Sequence, residues 1–512
     1  MAIFWILSEL ICVLIFIIIG TYLYYKIYVF NFWSKRGVPY VKPMFPVGNL
    51  LDAILKRKIF GEIFAEIYFK YKKFPYIGTF SMYKPNLVIN DPDLIRFVLA
   101  QGFTNFQDHG YYCNEKDDPL SGNLLLLHGK KWRNMRLRLS PTFNTNGKIK
   151  YMFAILRDKG YALEEFLAYK AENKNEIEIK DIACSFFIDV IMSTAFGIES
   201  NCLKDPKSEF NRSGRMFFST NLLKNVMMLF TPKILDIFSI PVIGKNISEF
   251  FINVFKTTVE YRKVNNIVRD DFLNLIIQMI ENGYVEYDEG KKPNVQKKVK
   301  KFTMLEGVAH SYGYYLAGFE SPSTTLTFCL YELALNQDIQ QKVHDEIDMI
   351  LERHDGITNE AINEMSYLQM VILETLRKYP TLPILNRICN KDIELPNYNI
   401  VVPVGTIMLI PVLGIQRDPE YYPEPNKFIP ERFTDEEIRS RNQYTYMPFG
   451  EGPRICPGIR FGIVEMKIAL VNALRKYEYF PGSNTPTEIK YLKRGFTLSP
   501  ENGIHLQIQL RN

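Results

Sequence analysis

Hydrophobic positions change their rhythm four times along this 512-residue chain. Residues 2–25 are apolar almost without a break, with Ser8, Glu9 and Thr21 as the interruptions. Roughly 20 such residues cross a bilayer, so the run predicts one membrane-spanning helix. A stretch with Pro39, Pro43, Pro46 and Gly48 follows and predicts a stiff hinge. Alternation and turn residues between Phe74 and Asn90 predict a small antiparallel sheet. Helical periodicity then dominates. Thr303 and Glu306 form a capping box that opens a helix reaching about Asn336, ~50 Å of it at 1.5 Å per residue. Ser366 and Gln369 cap another, stopped by Pro380. Ile459, Ile463, Met466 and Leu470 mark a third, and Arg494–Gly503 reads as a turn between strands.

Composition adds a large core, with 47% hydrophobic and 14% aromatic residues. No linker or repeat divides the chain after residue 50. The predicted organisation is an anchor over 1–25, a basic and proline-rich hinge over 26–50, and one domain over 51–512. Seven cysteines, odd in number and unpatterned, imply no disulfide framework and suit a reducing compartment. No Cys-x-x-Cys or His-Glu-x-x-His spacing supports a zinc site. A net charge of +6 is too mild for a nucleic-acid partner and suits an acidic membrane or protein surface. Lys26, Lys35 and Arg36 follow the apolar run and no cation precedes it, which places the body in the cytosol. A cleaved signal peptide is the alternative, but the run is long and lacks a basic start. The six lysines of 291–301 read as a solvated loop, or as a site for an acidic partner or lipid headgroup.

Chemistry concentrates in Pro448–Gly462, PFGEGPRICPGIRFG. Pro457 directly follows Cys456 and is tolerated as a first helical residue, so Cys456 is expected at a helix N-terminus. Free amides and the helix dipole there favour a thiolate. Gly450, Gly452 and Gly458 allow close approach to something large and flat, and Arg454 adds a cation. A lone thiolate so placed suits an axial haem ligand. Cys12, Cys113, Cys184, Cys202, Cys329 and Cys389 read as small buried hydrophobes.

The spacing Phe449, Gly452, Arg454, Cys456, Gly458 resembles the haem-binding signature of the cytochrome P-450 superfamily. The resemblance extends over nearly the whole chain. DVIMSTAFGIES (189–200) and LSPTFNTNGKIK (139–150) are most similar to insect-type microsomal members that handle foreign lipophilic compounds. It implies a mainly α fold with small β-sheets on a single N-terminal transmembrane helix, with haem b held by Cys456. It implies that Arg454, Arg387 and the i,i+4 pair Trp132 and Arg136 donate to the haem propionates. The basic helix around Trp132, with Lys130, Lys131, Arg133 and Arg138, would offer a face to an electron donor.

At the oxygen site the resemblance assigns Ala317, Gly318, Glu320 and Ser321. The small pair admits haem and dioxygen, and the acid and alcohol relay protons. Ser321 stands where threonine is usual, keeping the hydroxyl without the methyl. Pro322 removes the bond to Gly318 O and predicts a kink or opening there. Glu374, Arg377 and Arg432 would form a buried network. Leu382 and Ile384 would line the substrate pocket, the Asp108–Gly122 loop would cover it, and residues 205–250 would form a lid dipping into the membrane. Phe496 and Leu498, in the turn between strands, either reach into that pocket or pack in the core.

The implied reaction inserts one atom of dioxygen into a lipophilic molecule. Electrons would come from NADPH through NADPH–cytochrome P-450 reductase, with cytochrome b5 as a further candidate donor. The implied location is the endoplasmic reticulum membrane, in xenobiotic and insecticide or endogenous lipid and hormone metabolism. A peroxide-rearranging haem-thiolate enzyme and a non-catalytic haem sensor are the alternatives on the same fold.

Overall fold

The computed structural model describes residues 2–144, 146–173, 176–218, 222–283, 300–493 and 495–511. The lysines of 291–299 and Arg494 therefore lie outside the described residues. Helices of nine residues or more are numbered here in chain order. The first, α1 (Ala2–Tyr24), is exposed along its length and is long and apolar enough to cross a membrane. Cys12 is exposed on it, unlike the buried Cys184, Cys202, Cys329 and Cys389.

Residues beyond α1 lie along the first sheet. Trp33 is wholly buried against Gly78, and its indole N–H donates to Thr79 O at 3.1 Å. That sheet begins with the hairpin β1 (Tyr76–Ser81) and β2 (Lys84–Ile89), where the alternating pattern predicted one. Its far half comes from β3 (Leu385–Ile388) and β4 (Ile407–Ile410). The strand order is β1-β2-β4-β3, and β2 runs parallel to β4 with Leu87 beside Met408. A distant segment thus lays Arg387 across the sheet's edge.

The helical body is built on α2 (Phe60–Tyr71), α3 (Gly129–Asn144), α4 (Asn146–Asn173), α5 (Ile179–Ile191), α6 (Glu209–Phe218), α7 (Leu222–Phe230), α8 (Lys245–Val264) and α9 (Phe272–Glu281). Its axis is α10 (Met304–Leu335). Thr303 Oγ1 accepts the Glu306 N–H at 3.1 Å, and Glu306 Oε2 accepts the Thr303 N–H at 2.8 Å, closing the expected capping box. Most side chains of α10 are buried, as a helix enclosed on all sides requires. It packs closely on α5, where a Cβ on Gly318 would stand 2.6 Å from Ile191 Cδ1.

Two expectations need revision. The helical span of α10 continues through Pro322, so the chain does not break at Gly318. One missing hydrogen bond is a small loss in a helix held by neighbours on every side. Helices α11 (Gln337–Arg353) and α12 (Ser366–Lys378) follow, and α12 has no capping box. Its first amides, Tyr367 and Leu368, donate at 2.7 Å to the Glu346 carboxylate of α11. Tertiary contact supplies what the local sequence does not. The last long helix, α13 (Ile459–Leu474), packs on α10 and α4.

Candidate haem site

Cys456 sits on a loop shaped by two left-handed glycines, Gly450 (φ +72°) and Gly452 (φ +74°). A Cβ on Gly452 would lie 1.9 Å from Leu99 O, so the loop is pressed against backbone and tolerates no side chain. The Cys456 N–H donates to Phe449 O at 3.0 Å and closes the turn. Helix α13 begins only at Ile459, with Gly458 as its N-cap. Pro457 is therefore outside the helix, because the closed turn consumes the residues before the cap. Burial pushes the Cys456 thiol up, while the Gly458 N–H and the Arg136 charge favour the thiolate.

Beside the thiol lies a cluster of cations. The Arg454 guanidinium stacks 3.9 Å over the Trp132 ring. It donates to Gln107 O and Leu127 O at 2.8 Å and to Asp108 Oδ1 at 3.2 Å. Arg387 Nη1 donates to Asn386 O at 2.8 Å and lies 3.1 Å from His109 Nδ1, and its Nε has no partner among the described residues. Burial lowers Arg454 to about 9 and Arg387 to about 10. Burial and these two cations keep His109 neutral. Arg136, half-buried one turn beyond Trp132, is lowered by burial and partly restored by Cys456.

Three guanidinium groups thus converge, and Asp108 is the one carboxylate that pairs with them among the described residues. Two positive charges remain unbalanced in a buried setting, which demands anions. The two propionates of a bound haem b would supply that charge, and one could satisfy the free Nε. Open space adjoins the Cys456 segment. Nothing stands within 4 Å of a Cβ built on Gly450, Gly458 or Gly462, and Ala317 is exposed amid the buried residues of α10. The residues present fit the group.

On α10 the small pair divides its work. Ala317 and half-buried Ser321, four residues apart, share a face, whereas Gly318 packs on Ile191 of α5. Glu320 is buried and turned toward α5. Its Oε1 lies 3.2 Å from Lys180 Nζ and accepts Thr324 Oγ1 at 3.4 Å. Lys180 also donates to Ser323 Oγ and Thr324 Oγ1, each at 2.8 Å. The acid and the alcohol, 100° apart on the helix, therefore face different neighbours.

Glu374, Arg377 and Arg432 come together. Arg377 and Glu374 are fully buried and bidentate, at 2.6 and 2.8 Å. Arg432 Nε stands 3.5 Å from Glu374 Oε1, and its Nη2 donates to Glu424 O at 3.1 Å. Arg377 also holds Gln416 O and Pro425 O, bracing the strand-free segment ahead of the Cys456 loop. Leu382 is half-buried and Ile384 buried. Leu498 is fully buried, its N–H donating to Thr381 O at 2.9 Å, and Phe496 meets Phe217 at 6.4 Å. Asp108, His109 and Lys180 join the site without any motif to announce them, since each is placed by long-range packing alone.

The chain matches the cytochrome P450 family model over residues 38–507. It is 38% identical over 506 residues to probable cytochrome P450 6a14 of Drosophila melanogaster, covering 97% of this chain and 98% of that protein. It is 37% identical over 510 residues to cytochrome P450 6k1 of Blattella germanica, with 98% and 97% covered. It is 37% identical over 496 residues to cytochrome P450 6A1 of Musca domestica, with 95% of each covered. Matched from end to end by insect relatives, and carrying an arginine cradle beside a lone cysteine, this chain belongs to the cytochrome P450 family and is a haem monooxygenase.

Proposed function

We propose that this chain oxygenates lipophilic small molecules at the endoplasmic reticulum, drawing electrons from NADPH through NADPH–cytochrome P-450 reductase, with cytochrome b5 as an auxiliary donor. Haem b, when bound, supplies dioxygen activation. Cys456 holds the iron. Trp132, Arg136, Arg387 and Arg454 hold the propionates, with His109 as a neutral companion. Ala317 and Ser321 face the reacting side, and Ser321 carries the hydroxyl that moves protons there. Glu320 is the acid that replenishes that proton, and Lys180 fixes where it rests. Leu382, Ile384 and Phe496 shape an apolar pocket that excludes water from the substrate. Gly318 serves packing of α10 on α5. The basic outer face of α3 is where the donor docks, and the body lies on the cytosolic side of an anchor formed by α1. Foreign compounds, insecticides included, or endogenous lipids and hormones are the substrate class.

The observation that carries this reading is the surplus of buried arginines beside Cys456. The test is reconstitution of the full chain with a microsomal reductase and a panel of lipophilic compounds. Oxygenated product should track NADPH consumption and vanish without reductase. Product formed from organic peroxides alone, with NADPH ignored, would replace this reading with a rearrangement enzyme.

A further inference from the structure

The 108–122 loop leaves the arginine cluster at Asp108 and His109, and its far part meets the 239–244 turn along a seam. At one end the Tyr112 N–H donates to Met228 O at 3.1 Å. Asn114 Nδ2 reaches Asp236 Oδ1 at 3.5 Å. At the other end Asp118 Oδ2 accepts the N–H of Val242 at 2.8 Å and of Ile243 at 3.0 Å. Asp118 is 1% exposed, and its Oδ1 has no hydrogen-bond partner among the described residues. A buried carboxylate under a surface turn is a costly way to hold two amides.

Position gives that cost a purpose. Just outside the turn, Ile237 and Phe238 are 75% and 69% exposed, an apolar tip that a membrane would receive. Just inside, the Pro119–Ser121 turn packs on α10, and Asn123 lies against Gly313, one helical turn before Ala317. The seam separates an apolar outer surface from the face that carries Ala317.

We propose that Asp118 is the latch of this seam, and that its hold on Val242 and Ile243 governs how fast a lipophilic ligand passes between loop and turn. Asp118 is a positioning residue, acting through the backbone it grips. Its destination for the ligand rests on the proposed function above; the opening itself does not.

The groups that face Asp118 are Tyr112 and Cys113 on its own loop, Lys224 on α7 and Tyr312 on α10, while Asp117 and Asp236, the latter on the short helix Pro232–Ile237, face the neighbouring Tyr112. Burial raises Asp118 from 3.8 to about 6, against the pull of the two amides and Lys224. Released into water, the carboxyl returns to its ordinary value. The closed seam therefore binds the proton more tightly, protonation favours closure, and opening grows with pH. The linkage amounts to a roughly tenfold rise in opening between pH 5 and pH 7.

Two readouts on the full chain in phosphatidylcholine nanodiscs test this. One is amide hydrogen exchange of the segment containing Val242 and Ile243, corrected for chemical exchange. The other is the stopped-flow association rate of 4-phenylimidazole with the haem-loaded protein, expressed per concentration of the neutral ligand, since the imidazolium form cannot bind iron. In the native chain both should rise roughly tenfold from pH 5 to pH 7. Asp118→Asn keeps an acceptor oxygen but cannot ionise, so both should become independent of pH. Asp118→Ala should exchange and bind fast at either pH. A native-sized pH step in Asp118→Asn, or native protection in Asp118→Ala, would overturn the latch. Exchange that follows the expected pattern while the association rate does not would overturn the ligand route. Exchange as expected with no 4-phenylimidazole binding at all would instead refute the haem reading of the site.

Discussion

Glu374 and Arg377 show what a single buried charge requires. Both are out of contact with solvent, and each guanidinium donor or carboxylate oxygen named above has a partner. Glu374→Gln leaves Arg377 unpaired, which costs about 3–5 kcal/mol when a buried pair is broken. Thermal unfolding should fall accordingly, and the haem-to-protein ratio should drop with it, because the segment they brace precedes the Cys456 loop. An unchanged melting point would mean that the pair is dispensable. Lys180 and Glu320 pose a different question, since three hydroxyl and carboxylate partners share one ammonium. A double-mutant cycle of Lys180→Met and Glu320→Gln should return a coupling of about 1 kcal/mol or more in stability, and a value near zero would make the contact incidental. The i,i+3 spacing of Glu374 and Arg377 is readable in the sequence, because one helix sets it. Lys180 is not, because no local pattern says which distant side chain will cover a given helix face.

At the scale of elements, glycines carry more information than their number suggests. Gly452 and Gly318 belong to the two motifs most visible in the sequence, yet they do different work. Gly452→Ala combines a left-handed φ with a Cβ driven into Leu99 O, backbone that cannot step aside. It should fold poorly and bind little haem. Gly318→Ala meets the end of a flexible Ile191 side chain, a contact that Ile191→Val eases by removing Cδ1 at 2.6 Å while Cγ1 stays at 3.0 Å. The single variant should lose stability, and the double variant should recover part of it, read as paired melting temperatures. Legibility follows the same division. The capping box of α10 and the hairpin of β1 and β2 are local devices and are visible in the sequence. The cap of α12 is not, because Glu346 of α11 provides it across space. Nor does the position of Pro457 follow from its preference for a first helical turn, because the turn closed by Cys456 and Phe449 takes precedence.

For the whole molecule, two apolar surfaces stand apart in the chain, α1 and the tip at Ile237 and Phe238. In vesicle flotation the full chain should float. A chain starting at Tyr25 should float less, and adding Ile237→Asp with Phe238→Asp should leave it in the soluble fraction. Retention of the truncated double variant on vesicles would refute a membrane role for the tip.

The arginine surplus beside Cys456 reaches beyond catalysis, into how the protein is made. A newly synthesised chain without cofactor holds like charges that repel one another at its centre. On the proposed site, the propionates would act as counter-ions on which the fold depends, and ligand binding of that kind stabilises by mass action. Haem supply should therefore set how much protein survives quality control. Cells starved of haem should hold less of this polypeptide at unchanged messenger level, through faster proteolysis of a chain that cannot settle.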